Sequence, residues 1–298
     1  MTWKVSLSCT RAEGERLGSG EDEGDPGHNA PALVTTEETT DRWRLDAFFE
    51  DKPDRAAIDR LLTLVPSAAG TRPKAERVAE QDWVVLSQAG LEPIRAGGFF
   101  VHTPAHRGAV PAGATALEID AGRAFGTGHH ETTAGCLEAL DALKRQGFVA
   151  RNLIDVGTGT GLLAFAALRL WPRARATASD IDPVSVEVTR ENARINGIGL
   201  GTGPGRLETA IAAGLDHPRL RQRAPYDLII ANILAGPLIE LAPSLGPALV
   251  PGGRMMLAGL LQGQAERVAY AYRREGLRAA FSVQRGEWPT LVLRRPRA

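Results

Sequence analysis

The feature of this sequence that most constrains its fold is a glycine-rich stretch, Asp155-Val-Gly157-Thr-Gly159-Thr-Gly161. It follows an apolar run, Leu153–Val156, that is typical of a buried strand, and it precedes an apolar helix pattern over Leu162–Trp171. Glycines at such a turn let the backbone bend tightly and approach a ligand without a Cβ clash. A strand, a glycine loop and a helix in this order predict an α/β fold that binds a ligand at the carboxyl ends of its strands.

The same alternation of strands and helices continues through the C-terminal part of the chain, which we predict to be one domain over residues 114–298. Alternation at this spacing indicates βαβ units and a doubly wound, mostly parallel sheet. The predicted strands are Ala174–Asp180, Tyr226–Asn232 and Arg254–Ala258, and the predicted helices are Pro183–Asn196, Leu238–Leu249 and Gln262–Glu275.

The N-terminal part mixes strand and helix patterns, and we predict a small α+β domain over residues 1–70. Within it, residues 19–31 are rich in Gly, Asp and Glu and are predicted to be a solvated loop. Residues 71–113 are predicted to be a connector and linker, with a short helix over Ala75–Gln88 and a strand at Phe99–His102.

Composition excludes several classes of protein. The 35 Lys and Arg residues balance the 35 Asp and Glu residues, so the chain lacks the basic field of a typical nucleic-acid binder and we expect no direct nucleic-acid contact.

No apolar run approaches the ~20 residues of a membrane span, and the N-terminus lacks a signal-peptide pattern. We therefore expect a cytoplasmic protein. We separately expect the chain to be a monomer. The two cysteines, Cys9 and Cys136, rule out a disulfide framework and are expected to be buried thiols.

An acidic residue in the right register strengthens the ligand-binding interpretation of the glycine loop. Asp180 ends the next predicted strand, where a carboxylate can accept hydrogen bonds from both hydroxyls of a ribose. The combination predicts a cofactor that contains adenosine. The glycine spacing is G-x-G-x-G rather than the dinucleotide fingerprint G-x-G-x-x-G, which disfavours an NAD-dependent dehydrogenase. Asp155 beside the loop would repel a pyrophosphate and favours a cationic ligand.

Two other segments lie where a ligand would bind. Asn232 ends a third predicted strand, and alone it would be interpreted as a helix cap, but its place in the topology favours function. Upstream, Ala124–Thr133 contains two glycines and starts a helix, where the hydroxyl of Thr132 or Thr133 and free N–H groups suit a carboxylate. Adjacent residues on a helix do not face each other, so we predict no metal site at His129, His130 and Glu131.

These segments, in this order, resemble the ribosomal protein L11 methyltransferases (PrmA), which belong to the class I methyltransferases that use S-adenosylmethionine. The matching stretches are Ala124–Thr133, Asp155–Gly161, Asp180-Ile-Asp-Pro183, Ala231-Asn-Ile-Leu-Ala-Gly-Pro237 and Gly286-Glu-Trp288. The resemblance covers the catalytic half well and extends to Asp82-Trp83 and Phe99-Phe-Val, but it is faint over residues 1–65. One departure is Asp120-Ala-Gly122, where members often carry Asp-Pro-Gly.

The resemblance implies a Rossmann-like class I methyltransferase domain preceded by a small substrate-recognition domain. It implies that Thr133, Gly157, Asp180 and Asn232 contact S-adenosyl-L-methionine, and that the substrate is ribosomal protein L11, methylated on lysine ε-amines, its N-terminal α-amine, or both. No general base is evident in the sequence, so the catalytic residues stay unassigned. The alternatives are a class I methyltransferase acting on an amine of another protein or on a nucleobase, and a non-catalytic adaptor that binds an adenosyl ligand.

Overall fold

The computed structural model describes residues 2–18, 31–39, 42–49, 51–78, 92–120 and 130–297. The chain forms two compact units, residues 1–87 and 88–298. The predicted acidic loop at 19–31 lies, except for Pro31, outside the described residues. Within the described part of the chain, no helix combines the length and apolar character needed to cross a membrane.

The smaller unit has the order βαββαβ, as in ferredoxin-like folds. Its elements are β1 (Thr2–Thr10), α1 (Arg11–Gly18), β2 (Ala32–Thr39), β3 (Arg42–Phe49), α2 (Arg55–Leu64) and β4 (Ala75–Val78). The sheet is antiparallel in the order β2-β3-β1-β4. Alternate residues of the central strands, such as Val5 and Leu45, face a core that α2 covers with Leu61. Cys9 is buried in this core, as predicted.

The structure differs from the prediction in the connector region. Residues Ala75–Val78 form strand β4 rather than the start of a helix, because they pair in antiparallel register with Thr2–Val5 at the edge of the small sheet. The rest of the predicted helix lies outside the described residues. The small sheet thus extends beyond residue 70, and the chain divides near residue 87 instead.

The larger unit begins with a three-stranded sheet in the order β5-β6-β7. Its strands are β5 (Ile94–Ala96), β6 (Phe99–His102) and β7 (Thr115–Glu118). The prediction of a strand at Phe99–His102 is confirmed. Phe99 and Leu117 pack into the same core as the helices of the main sheet, so part of the predicted connector belongs to the body of this unit.

The main sheet has seven strands in the order β10-β9-β8-β11-β12-β14-β13. These are β8 (Asn152–Val156), β9 (Arg175–Asp180), β10 (Leu207–Ile211), β11 (Tyr226–Asn232), β12 (Leu249–Ala258), β13 (Arg278–Arg285) and β14 (Trp288–Arg294). Strands β8 to β12 pair in parallel, and β14 is antiparallel to both of its neighbours. This confirms the predicted doubly wound, mostly parallel sheet.

Helices cover both faces of the main sheet. One face packs against α3 (His130–Arg145), α4 (Leu162–Leu170) and α5 (Pro183–Ile195), and the other against α6 (Pro218–Arg223), α7 (Ala235–Leu245) and α8 (Gln262–Arg274). The strands that lie between two helical layers are apolar on both sides, as buried parallel strands are. Cys136 of α3 is buried in the first of these cores.

Candidate cofactor site at the switch point of the sheet

The chain reverses its direction of winding between β8 and β11. From β8 it proceeds outward to β9 and β10, and it then returns to place β11 on the other side of β8. In open α/β sheets the crevice at this switch point, outside the carboxyl ends of the strands, is where ligands bind. Gly157 follows β8, Asp180 ends β9 and Asn232 ends β11, so the fold brings these three predicted residues to one edge of the sheet.

The carboxylate of Asp180 is tied to the glycine loop. Its Oδ2 accepts a hydrogen bond from the backbone N–H of Gly159 at 2.9 Å, and its Oδ1 accepts one from the N–H of Asp182 at 3.1 Å. A carboxylate has about four lone-pair directions, so each oxygen keeps capacity for another donor. Asp180 is half-buried, which leaves this capacity accessible to a ligand.

Asp155 has a different role from the one predicted for it. Its side chain is only 2% exposed, and its Oδ2 accepts hydrogen bonds from the Thr158 hydroxyl at 2.8 Å and from the Ala164 N–H at 3.2 Å. Burial, reinforced by the nearby charge of Asp180, raises the pKa of Asp155 to about 7. This carboxyl group therefore holds the loop and the start of α4 together instead of facing a ligand.

Gly157 connects the glycine loop to the segment that carries Asn232. It adopts a φ of +70°, and a Cβ added to it would lie 2.2 Å from Cγ2 of Ile233. The backbone N–H groups of Gly157 and Thr158 both donate to the carbonyl of Ser179, at 2.8 and 3.0 Å. The first glycine is thus needed for both its backbone conformation and the space it leaves for Ile233.

Two side chains of α5 that belong to none of the sequence motifs donate hydrogen bonds to the glycine loop. The Thr189 hydroxyl donates to the carbonyl of Gly159 at 2.9 Å, and the Asn192 amide donates to the carbonyl of Thr160 at 3.1 Å. Asn192 also accepts a hydrogen bond from the N–H of Asp120 at 3.0 Å. Both side chains are fully buried. The sequence signal that could have identified them is a pair of polar residues three apart on the buried face of an amphipathic helix.

Asn232 and Thr133, the other two predicted site residues, differ in their burial. Asn232 is half-buried, and its side chain makes no hydrogen bond with any of the described residues. Thr133 lies in the first turn of α3 and is 3% exposed. Residues 121–129, which include most of the predicted loop and His129, lie outside the described residues. The described part of the chain contains no group of three or more His, Cys, Asp or Glu side chains arranged to bind a metal.

The motif Gly286-Glu-Trp288 lies in the turn between β13 and β14, and this hairpin packs against α3. A Cβ added to Gly135 of α3 would lie 2.6 Å from Oγ1 of Thr290, so helix and strand are in close contact. Arg285 forms an ion pair with Glu138 of the same helix. The hairpin that contains the motif therefore supports the helix that carries Thr133.

A seven-stranded sheet with one antiparallel strand inserted near its edge, a glycine loop at the switch point and an acidic residue at the end of the next strand define a class I, Rossmann-like methyltransferase. Comparison with known proteins narrows this class. The family model for ribosomal protein L11 methyltransferase (PrmA) matches residues 19–296. The chain belongs to this family.

Individual relatives align with this chain over nearly its whole length. The ribosomal protein L11 methyltransferase of Caulobacter sp. (strain K31) is 42% identical over 274 residues, which is 91% of this chain and 90% of the relative. That of Brucella suis (strain ATCC 23445 / NCTC 10510) is 39% identical over 296 residues, 98% and 99% of the two chains. A crystal structure of ribosomal protein L11 methylase from Lactobacillus delbrueckii subsp. bulgaricus superposes with a TM-score of 0.59 at 26% identity, covering 69% of this chain and all of the other.

Proposed function

We propose that this chain transfers methyl groups from S-adenosyl-L-methionine to amino groups of ribosomal protein L11, either lysine ε-amines, the N-terminal α-amine, or both. Membership of the family supports the reaction and the substrate. The observation that carries the proposal in the structure is the convergence of Gly157, Asp180 and Asn232 at one switch point. We further propose that the protein acts as a monomer in the cytoplasm, and that its small N-terminal unit recognises the substrate protein.

The described residues fit the cofactor. The unused lone pairs of Asp180 match the two hydroxyls of a ribose, and Ile181 beside it is 73% exposed, which suits contact with a flat apolar group such as an adenine. Thr133 and Gly157 would complete the cofactor site. When bound, S-adenosyl-L-methionine supplies a methyl group activated by a positively charged sulfur.

The acceptor amine must be neutral to attack that methyl group. Neutralising a lysine with a pKa of about 10.4 costs about 4 kcal/mol near pH 7.4, whereas an α-amine with a pKa of about 7.8 costs well under 1 kcal/mol. Apolar surroundings lower an amine pKa, and Ile233 and the 72% exposed Leu234 follow Asn232 directly. The carbonyl oxygen of Asn232 would accept a hydrogen bond from the amine and orient its lone pair.

The substitution Asn232→Ala tests this assignment. Losing one positioning hydrogen bond should lower turnover by about a hundredfold, while thermal unfolding changes little because the side chain has no described hydrogen bond to lose. Asn152→Ala is the comparison variant: it removes hydrogen bonds with Arg223 and Pro225 at the opposite end of the sheet, so it should lower the unfolding temperature without lowering turnover. Unchanged turnover in Asn232→Ala would remove this residue from the mechanism.

A further inference from the structure

A cavity lies at the opposite end of the main sheet from the cofactor site. It has a volume of about 410 Å³ and lies between the segment 146–149 and the start of β12. Here β12 departs from regular pairing: Tyr226 pairs with Leu249, but Leu228 already pairs with Arg254. Residues 250–253 therefore bulge out of the sheet, and this bulge forms one wall of the cavity.

The bulge is a built feature of the fold. Gly252 has a φ of +81°, and a Cβ on Gly253 would lie within 3.0 Å of the carbonyl oxygens of Val250 and Asp227. Arg254 donates from Nη1 to the carbonyls of Gly252 and Gly253, at 2.7 and 3.2 Å. The guanidinium of Arg254 also lies 5.5 Å from the centre of the Phe148 ring.

Arginines accumulate at this cavity. Arg254 on β12 lies directly opposite Arg294 on β14, which in turn lies directly opposite Arg278 on β13. Residues directly opposite each other in an antiparallel pair project on the same face, and like charges there are destabilising. Arg297 adds a fourth charge beside the bulge. Its Nε lies 3.0 Å from where an added Cβ on Gly252 would be.

These charges are not neutralised by the described residues. Neither an ion pair nor a hydrogen bond of the side chains of Arg278, Arg294 or Arg297 occurs within the described ranges. Burial, together with Arg294 and Arg297, lowers the pKa of Arg254. Among the described residues that line the cavity, only Asp227 carries a carboxylate, and its Oδ2 accepts hydrogen bonds from the backbone N–H groups of Arg151 and Asn152.

We propose that this cavity, lined by Arg254 and Arg297 and bordered by Arg294, binds a phosphate group. Planar guanidinium groups match the oxygens of phosphate in bidentate geometry, and a multiply charged anion relieves the repulsion within the row. The phosphate belongs either to a small ester or to an RNA strand, and the experiment below separates the two.

The test uses the full chain and two double variants that each remove two exposed arginines. Arg294→Gln/Arg297→Gln removes charge from the cavity, and Arg173→Gln/Arg175→Gln removes the same charge at the start of β9, outside the described lining of the cavity. Thermal unfolding is followed with inorganic phosphate or acetate added at constant ionic strength. Binding of a fluorescent single-stranded RNA decanucleotide is followed by anisotropy at several salt concentrations.

The proposal expects phosphate, but not acetate, to raise the unfolding temperature of the wild type and of Arg173→Gln/Arg175→Gln. In Arg294→Gln/Arg297→Gln the affinity should fall about tenfold or more. If the RNA decanucleotide binds much more tightly than inorganic phosphate, and its affinity falls steeply with salt, the phosphate belongs to RNA. If the two affinities are equal, the phosphate belongs to a small ester. The proposal is overturned if neither ligand binds, if acetate acts as well as phosphate, or if both double variants behave alike. Methyl transfer should persist in both.

Discussion

At the scale of single residues, Gly157 is a position where conformation and space both exclude a side chain. Its φ of +70° disfavours any residue with a Cβ, and that Cβ would collide with Ile233. We predict that Gly157→Ala costs about 2–4 kcal/mol in the free energy of unfolding, the sum of backbone strain and overpacking. Because Ile233 adjoins Asn232, turnover should fall as well. Urea unfolding and a methyl-transfer assay measure the two effects.

Gly147 provides the matched control for this prediction. It has a similar φ of +78°, but no atom lies within 4 Å of an added Cβ. Gly147→Ala should therefore show the strain alone and leave turnover unchanged. Equal losses of stability and turnover in the two variants would contradict the proposed contact between the glycine loop and Ile233.

Asp155 makes a pH-dependent contribution to stability whose sign is unusual for a carboxylate. The native state holds the proton up to a pKa of about 7, whereas the unfolded chain releases it near 3.8. The native state thus binds more protons between these values. The stability contributed by Asp155 is fully present below about pH 3.8 and is lost as the pH rises through 7.

We predict that Asp155→Asn removes this dependence, since the amide stays neutral and its oxygen can still accept from Thr158 and Ala164. Between pH 4 and 8 the wild type should lose up to about 4 kcal/mol of unfolding free energy relative to Asp155→Asn. Urea unfolding at a series of pH values measures it. A difference that is constant with pH would show that Asp155 titrates normally.

At the scale of elements, α5 acts as a platform for the glycine loop. Thr189→Val keeps the shape of the side chain but leaves the buried carbonyl of Gly159 without its donor. We predict a loss of about 1–3 kcal/mol in unfolding free energy and weaker binding of S-adenosylhomocysteine in calorimetry. Ser244→Ala on α7, which removes an exposed hydrogen bond to the carbonyl of Leu241, should change stability by less than about 0.5 kcal/mol. Unchanged ligand affinity in Thr189→Val would contradict the platform role.

The elements also show what local sequence can and cannot predict. The strand before Gly157 and the helix after it were predictable, because an apolar run, a glycine turn and a second apolar run are all local signals. Strands β4 and β14 were not, since β4 pairs with the distant residues Thr2–Val5 and β14 with the distant residues Arg254–Leu257, and β13 is held at the edge of the sheet by β14. Thr189 and Asn192 were missed for the same reason, because their partners lie in other elements.

At the scale of the whole molecule, the two units have separate cores. Leu45 is fully buried in the core of the small unit, and the described members of that core all lie within residues 3–75. We predict that Leu45→Ala destabilises this unit by about 3 kcal/mol and impairs methylation of ribosomal protein L11. Calorimetry should show unchanged affinity for S-adenosylhomocysteine. A parallel loss of ligand affinity would contradict the proposed division of roles.

The most direct test of the proposed function is the intact mass of purified ribosomal protein L11 before and after incubation with this chain and S-adenosyl-L-methionine. The proposed function predicts an increase in mass by whole methyl groups, located by fragmentation on lysines or the N-terminus and abolished when the cofactor is withheld. A folded chain that leaves the mass of L11 unchanged, and gives no heat with S-adenosylhomocysteine at millimolar concentration, would contradict it.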